Sequence, residues 1–203
     1  MRFYSQQNED VILWKKYLNY RNGFFIELGA MDGVVYSNTK FFEDDMGWTG
    51  ILLEPEPVQF NRLKVNRPNC ITLDYAVSET DGEVLFNGRP HGDSGGGIVE
   101  THIYKNELKE TENYSVRSKP FHKILSEVER PSRVDLFVVD VEGGELGILK
   151  TFDWSIPVYI VLIEAIPSNS DYEACKTILI ENGFEYDMDI GCNQVWINRK
   201  NAP

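Results

Sequence analysis

Two seven-residue runs, Val134-Asp135-Leu136-Phe137-Val138-Val139-Asp140 and Val158-Tyr159-Ile160-Val161-Leu162-Ile163-Glu164, constrain this chain more than any other feature. Neither alternates apolar with polar residues, so each reads as a strand buried on both faces, the kind found in parallel sheets covered by helices on each side. Shorter strands are expected at Phe24–Leu28, at Gly50–Glu54, near Ile71–Leu73, at Gly82–Phe86, and around 184–186 and 194–197. Between them apolar residues recur at helical spacing. One helix is predicted after Ser5 as N-cap, another from beyond Ser37 to Gly47, and a third carries Phe60 and Leu63 and ends before Pro68. Further helices are expected over Phe121 to Val128, Leu146 to Phe152 and 171–182, whereas residues 102–118 are polar and show no clear period. The order predicts an α/β fold with a mostly parallel sheet and helices on both faces.

With 203 residues, 42% of them hydrophobic, the chain can bury one substantial core, so a single domain over residues 1–203 is expected. No stretch reaches the roughly 20 apolar residues of a membrane span. Met1 to Gln6 leads into acidic residues rather than an apolar signal core, which predicts a cytoplasmic location. The net charge of −12 opposes binding to a phosphate backbone, so no nucleic-acid partner is expected and a small or neutral partner fits better. Cys70, Cys175 and Cys192 show no metal-ligand spacing and suit a reducing compartment.

Ligands of open parallel sheets bind beyond the carboxyl ends of the strands, and there the chain is acidic. The first strand leads to Glu27 and Asp32, the second ends at Glu54, the third precedes Asp74, and the two long runs end at Asp140 with Glu142 and at Glu164. Gly29-Ala30-Met31-Asp32-Gly33 is a glycine-bearing turn that admits a ligand close to the backbone, without the G-x-G-x-x-G spacing of a dinucleotide fold. Glu54 follows Gly33 by 21 residues, where an acid can hydrogen-bond both hydroxyls of a ribose. Carboxylates beside such a turn oppose a pyrophosphate but attract the ammonium and sulfonium of S-adenosylmethionine (AdoMet). The same residues admit plainer roles: an ordinary turn, Asp74 as a cap, Glu164 paired with a cation.

These residues, in this order and spacing, resemble the FkbM family of AdoMet-dependent methyltransferases, most of whose characterised members methylate hydroxyl groups. The resemblance is carried by Ser5-Gln6 with Glu9-Asp10, Glu27-Leu28-Gly29-Ala30 with Asp32-Gly33, Ser37-Asn38-Thr39, Phe42-Glu43 with Gly47-Trp48, Glu54-Pro55, Asn66-Arg67-Pro68-Asn69, Ala76-Val77-Ser78 and Asp140-Val141-Glu142-Gly143. It implies a Rossmann-like class I methyltransferase fold of seven strands with a reversed last strand. It also implies AdoMet contacts at Gln6, Glu27, Gly29, Ala30, Asp32, Gly33, Ser37, Asn38, Glu54, Pro55, Asp74, Ala76 and Val77, with Asp140 beside the reactive methyl. Two positions depart from the pattern: Met31 stands where members often carry asparagine, and Val138 where many have a lysine.

The reaction so implied is O-methyl transfer to a sugar hydroxyl of a glycan or glycosylated metabolite. A hydroxyl needs a base or a metal ion to lose its proton. Asp140, Glu142 and Glu164 are candidate bases, and Asp140 and Glu164 candidate oxygen ligands for Mg²⁺ or Mn²⁺. His91, in the glycine-rich loop Asn87 to Thr101, is a further candidate base, and that loop a candidate lid. Tyr36, Tyr104 and Tyr114 are candidates for stacking on sugar rings, while His102 and His122 are read as structural. A competing reading is a non-catalytic binding or trafficking module on the same fold; the intact strand-end acids favour an enzyme. A nicotinamide oxidoreductase is disfavoured by the turn spacing.

Overall fold

A computed structural model of the chain describes residues 1–88, 95–104, 106, 113–165 and 171–203. In chain order its elements are α1 (Glu9–Lys16), β1 (Phe24–Leu28), α2 (Lys40–Met46), β2 (Thr49–Leu53), α3 (Pro57–Asn66), β3 (Ile71–Leu73), β4 (Ala76–Val77), β5 (Gly82–Asn87), β6 (Gly97–Ile98), β7 (Asn113–Lys119), α4 (Phe121–Leu125), β8 (Val134–Val139), α5 (Glu145–Thr151), β9 (Val158–Glu164), α6 (Tyr172–Glu181), β10 (Glu185–Ile190) and β11 (Asn193–Ile197). The two long apolar runs are β8 and β9, side by side and parallel, as their two-sided burial requires.

They sit in a seven-stranded sheet of order β10-β11-β9-β8-β1-β2-β3. Pairing is parallel from β3 across to β9, and β11 runs antiparallel to both its neighbours, which is the expected reversed last strand. Successive side chains along each strand enter opposite cores. Ile26, Leu28, Ile51, Phe137, Val139 and Val161 pack against α4, α5 and α6. Their neighbours Phe25, Leu52, Leu136, Val138 and Ile160 pack against α1, α2 and α3.

The structure departs from the sequence expectations in two places. Ser5 is not at the N-cap position, since α1 begins only after Asn8; its hydroxyl accepts the Asp10 N–H of the first turn, and that hydroxyl and the Ser5 and Tyr4 N–H groups donate to the fully buried Asp10 carboxylate. A buried carboxylate needs donors, and the N-terminal segment supplies them. Second, β4-β7-β5-β6 form a small separate sheet, so the polar stretch before Pro120 contains a strand and the glycine-rich loop ends in one. β7 turns only Val116 and Ser118 fully inward, too few apolar residues to reveal a period in the sequence.

Candidate active site

The strand order changes direction between β1 and β8, and at such a switch point the loops leaving the strands part and leave a crevice. Gly29 ends β1 there with φ +74°, and a Cβ on it would collide with the Asp140 carbonyl leaving β8, so only glycine lets the two strand ends approach this closely. The crevice opens into a cleft of about 1290 Å³, counting the part open to solvent, roofed by Ala76, Phe86 and Ile98 of the small sheet. Met31, Tyr36 and Glu142, three of the five described non-glycine residues at positive φ, lie on its wall. Strained backbone of this kind concentrates at functional sites.

Met31 holds φ +48° while its N–H donates to Glu54 Oε2 at 2.8 Å. Asparagine tolerates that conformation better than an unbranched apolar side chain, which would give a physical reason for the asparagine that the resemblance implies is often found at this position. Met31→Asn is therefore expected to raise the melting temperature by about 2 °C, the effect of relieving roughly 0.5–1 kcal/mol of backbone strain. An unchanged or lower value in a calorimetric scan contradicts this account.

On the β2 side, Glu54 is 5% exposed and accepts the Met31 and Glu56 N–H groups. Burial pushes its carboxyl up to about 7, against the pull of those two donors and with a further push from Glu56. Glu27, buried in β1, accepts Ser37 Oγ, the Asn38 N–H and Thr39 Oγ1, with the Arg67 guanidinium 3.8 Å away. Arg67 is wholly buried and also bonds Glu43, the Gly33 carbonyl, Ser37 and Thr39. This network pins the turn after β1 to the start of α2. Val138, at the position of the family's lysine, lies opposite Glu27 in the register and is apolar and buried, so the cation facing Glu27 is Arg67.

On the other side of Gly29, one carboxylate oxygen each from Asp140, Glu142 and Glu164 lie within 4.8 Å of one another. Burial raises the Asp140 and Glu164 carboxyls above the ordinary carboxylate range, and mutual repulsion within the trio adds to it. Among the described residues no side-chain hydrogen bond meets the Asp140 or Glu164 carboxylate.

Of the residues singled out in the sequence, Gln6, Glu27, Gly29, Ala30, Ser37, Asn38, Glu54, Pro55, Ala76, Val77, Asp140, Glu142 and Glu164 all line the cleft. Three do not. Asp32 accepts the Val34 and Val35 N–H groups and closes its own turn, and Gly33 packs toward Leu63 and Arg67. Asp74 pairs with Arg117 at the surface. His91 and the centre of its loop lie outside the described residues, and the candidate lid is described only at its ends, Asn87 and Gly88 on one side and the segment that carries β6 on the other. Tyr36 lines the cleft, whereas Tyr104 and Tyr114 do not. Sequence reasoning missed Arg67, Glu56, Gln59 and the small sheet. Arg67 and the cleft residue Glu9 stood inside motifs already noted, but burial cannot be read from a motif.

Fit to AdoMet can be tested on the donor set. Asn38 Oδ1 and Gln59 Oε1 are buried in cleft-lining residues without a hydrogen-bond donor, and a ligand bearing hydroxyl and amino groups would satisfy them. Glu54, ending β2 beside the Gly29 turn, is an acid of the kind that can accept both hydroxyls of a ribose, and the glycine leaves the backbone open beside it. The residues present fit the group.

A parallel sheet with a reversed last strand, and a cleft at its switch point, define the fold of class I AdoMet-dependent methyltransferases. Similarity of fold to methyltransferase FkbM of Methylobacillus flagellatus KT extends over 87% of this chain and 43% of that one, at a TM-score of 0.55 and 14% identity. Precorrin-6y C5,15-methyltransferase of Geobacter metallireducens GS-15 gives 0.50 and 12% over 93% and 85%. Residues 27–186 match the family model described as the methyltransferase FkbM domain, and the chain belongs to that family. Methyltransferase 1 of Beauveria bassiana (strain ARSEF 2860) is 33% identical over 90 residues, 43% of this chain, and the match spans only 36% of that relative's length.

Proposed function

We propose that this protein is an AdoMet-dependent O-methyltransferase whose acceptor is a hydroxyl of a sugar-containing metabolite or glycan. The reading rests on one observation: Glu54 and the Asp140, Glu142, Glu164 corner flank the Gly29 turn from opposite sides, in one cleft. AdoMet, when bound, supplies a methyl group activated by its sulfonium. Glu54 holds the ribose hydroxyls, and Asn38 and Gln59 accept hydrogen bonds from the ligand's polar edge. The backbone at Gly29 and Ala30 gives close approach. Asp140 then takes the acceptor hydroxyl's proton on a carboxylate oxygen, while the surrounding walls hold that hydroxyl in line.

The clustering of three carboxylate oxygens supports a second version, in which Asp140 and Glu164 would hold Mg²⁺ or Mn²⁺, whose chemistry there would be to acidify a hydroxyl. The acidic net charge supports a non-nucleic-acid acceptor. The three free thiols support a reducing, cytoplasmic compartment. Among the described residues no helix is long and apolar enough to cross a membrane.

Titration calorimetry should show AdoMet binding and no NAD binding. Glu54→Ala should weaken AdoMet roughly 10- to 150-fold, the worth of one charge-assisted hydrogen bond at about 1.5–3 kcal/mol. Label from AdoMet should then pass to members of a sugar panel. Binding without transfer to any of them supports the non-catalytic alternative, and loss of transfer in EDTA the metal version. Preference for NAD overturns both.

A further inference from the structure

Helix α3 carries a polar residue where its pattern calls for an apolar one. Its N-cap, Glu56, accepts the Gln59 N–H and so sets the first turn directly behind the end of β2. Residues four apart share a helix face, so the face that buries Leu63 completely also turns Gln59 inward. That side chain is 5% exposed and lines the cleft. Its Oε1 is buried without a donor, and among the described residues no hydrogen bond engages its Nε2. A buried polar group costs stability unless something bonds it, so this side chain points to a ligand that does.

The surroundings narrow the chemistry of that ligand. Glu54 accepts the Glu56 N–H and Glu56 the Gln59 N–H, so the three side chains occupy one end of the cleft. Ionised carboxylates accept hydrogen bonds and donate none. Around them the wall is apolar, with Pro55, Ala76, Val77 and Phe86. The polar side chains of the β3–β4 segment are engaged elsewhere: Asp74 pairs with Arg117 outside the cleft, and the Tyr75 hydroxyl accepts from Arg117 and Lys119. A flat, largely apolar ring with a hydrogen-bond donor on its edge fits this end.

Resting on the AdoMet-dependent reading of this cleft, we infer that Gln59 selects the cofactor's base: its carboxamide bonds the 6-amino group of adenine and rejects a purine that carries oxygen on that carbon. Glu54 then holds the ribose and Gln59 the base, from the end of β2 and from the helix that follows it.

The discrimination follows from the pairing. A carboxamide sets an acceptor beside a donor, and glutamine matches adenine on the edge where the 6-amino donor stands beside the ring nitrogen N7. A 6-oxopurine presents two acceptors on that edge. Neither orientation of the carboxamide satisfies both, and the Glu56 carboxylate, held by the Gln59 N–H, repels the added oxygen.

The test titrates the full chain calorimetrically with S-adenosylhomocysteine and with its 6-oxo analogue, S-inosylhomocysteine. The adenine form should bind about 10- to 100-fold tighter, the range of a good two-bond base contact. Gln59→Leu keeps much of the bulk but neither hydrogen bond. It should weaken the adenine form about ten-fold or more and shrink the preference to about three-fold or less, with Gln59→Met as a second variant should the first misfold. A merely structural role would weaken both ligands alike and leave their ratio in place. Equal binding of the two ligands by the unaltered chain, or a ratio that persists in Gln59→Leu, would overturn the inference. Failure of S-adenosylhomocysteine to bind the unaltered chain would instead overturn the AdoMet reading beneath it.

Discussion

Replacing Arg67 with alanine should destabilise the fold by about 3–5 kcal/mol, the cost of removing one partner from a buried charge network. The guanidinium is fully buried and meets Glu43, the Gly33 carbonyl, Ser37 and Thr39 directly, with Glu27 at 3.8 Å and the Phe25 ring at 5.3 Å. Its removal leaves Glu27 with hydroxyls and one N–H but no counter-charge. The loss should also depend on pH. Burial already holds the Glu27 carboxyl above its ordinary value, while Arg67 pulls it down. Because the folded chain then binds the proton more tightly than the unfolded one, this group's contribution falls as pH rises from the unfolded value to the folded one. Without Arg67 the folded value climbs and that window extends upward, so the variant should lose more stability near pH 8 than near pH 5. Arg67→Lys keeps the charge but not the fork of donors and should fall between. Urea unfolding followed by circular dichroism measures all three proteins. A loss below about 1 kcal/mol in Arg67→Ala would show that the network is not held by this residue.

How much of this was legible beforehand follows from which residues carry a pattern. β8 and β9 announce themselves because a strand buried on both faces cannot spare polar positions, and β1 and β3 fall at their expected bounds. Gly29 and Glu54 could be placed because a strand end is a fixed point in such a sheet. The small sheet was invisible for the opposite reason: β4 and β6 are two residues each, and β7 is mostly polar. Asp32 and Asp74 look in the sequence like the acids that line the cleft. Only geometry separates a carboxylate that closes its own turn, or meets Arg117, from one that faces a ligand. Arg67 shows the same limit: a cation just before a proline reads as surface until its five partners are seen.

Asp140→Asn should lower turnover by about 10²- to 10⁴-fold, the usual worth of a positioned base. AdoMet affinity should fall no more than about ten-fold, because Glu54 and the Gly29 turn are untouched and one charge at a partly open site contributes modestly. The dependence on pH gives a sharper test than the magnitude. A base acts only when unprotonated, and burial, then Glu142, Glu145, Glu9 and Glu27, keep the proton on Asp140 above the ordinary carboxylate range. The acid limb of the rate should therefore lie well above the pH at which exposed carboxylates titrate. It is shared with Glu164, whose carboxyl burial and then Asp140 raise. Glu142→Gln removes the charge that, after burial, does most to hold the proton on Asp140, so whatever turnover remains should show that limb displaced to lower pH. Full turnover in Asp140→Asn, or an acid limb that stays in place in Glu142→Gln, would assign the proton to another group.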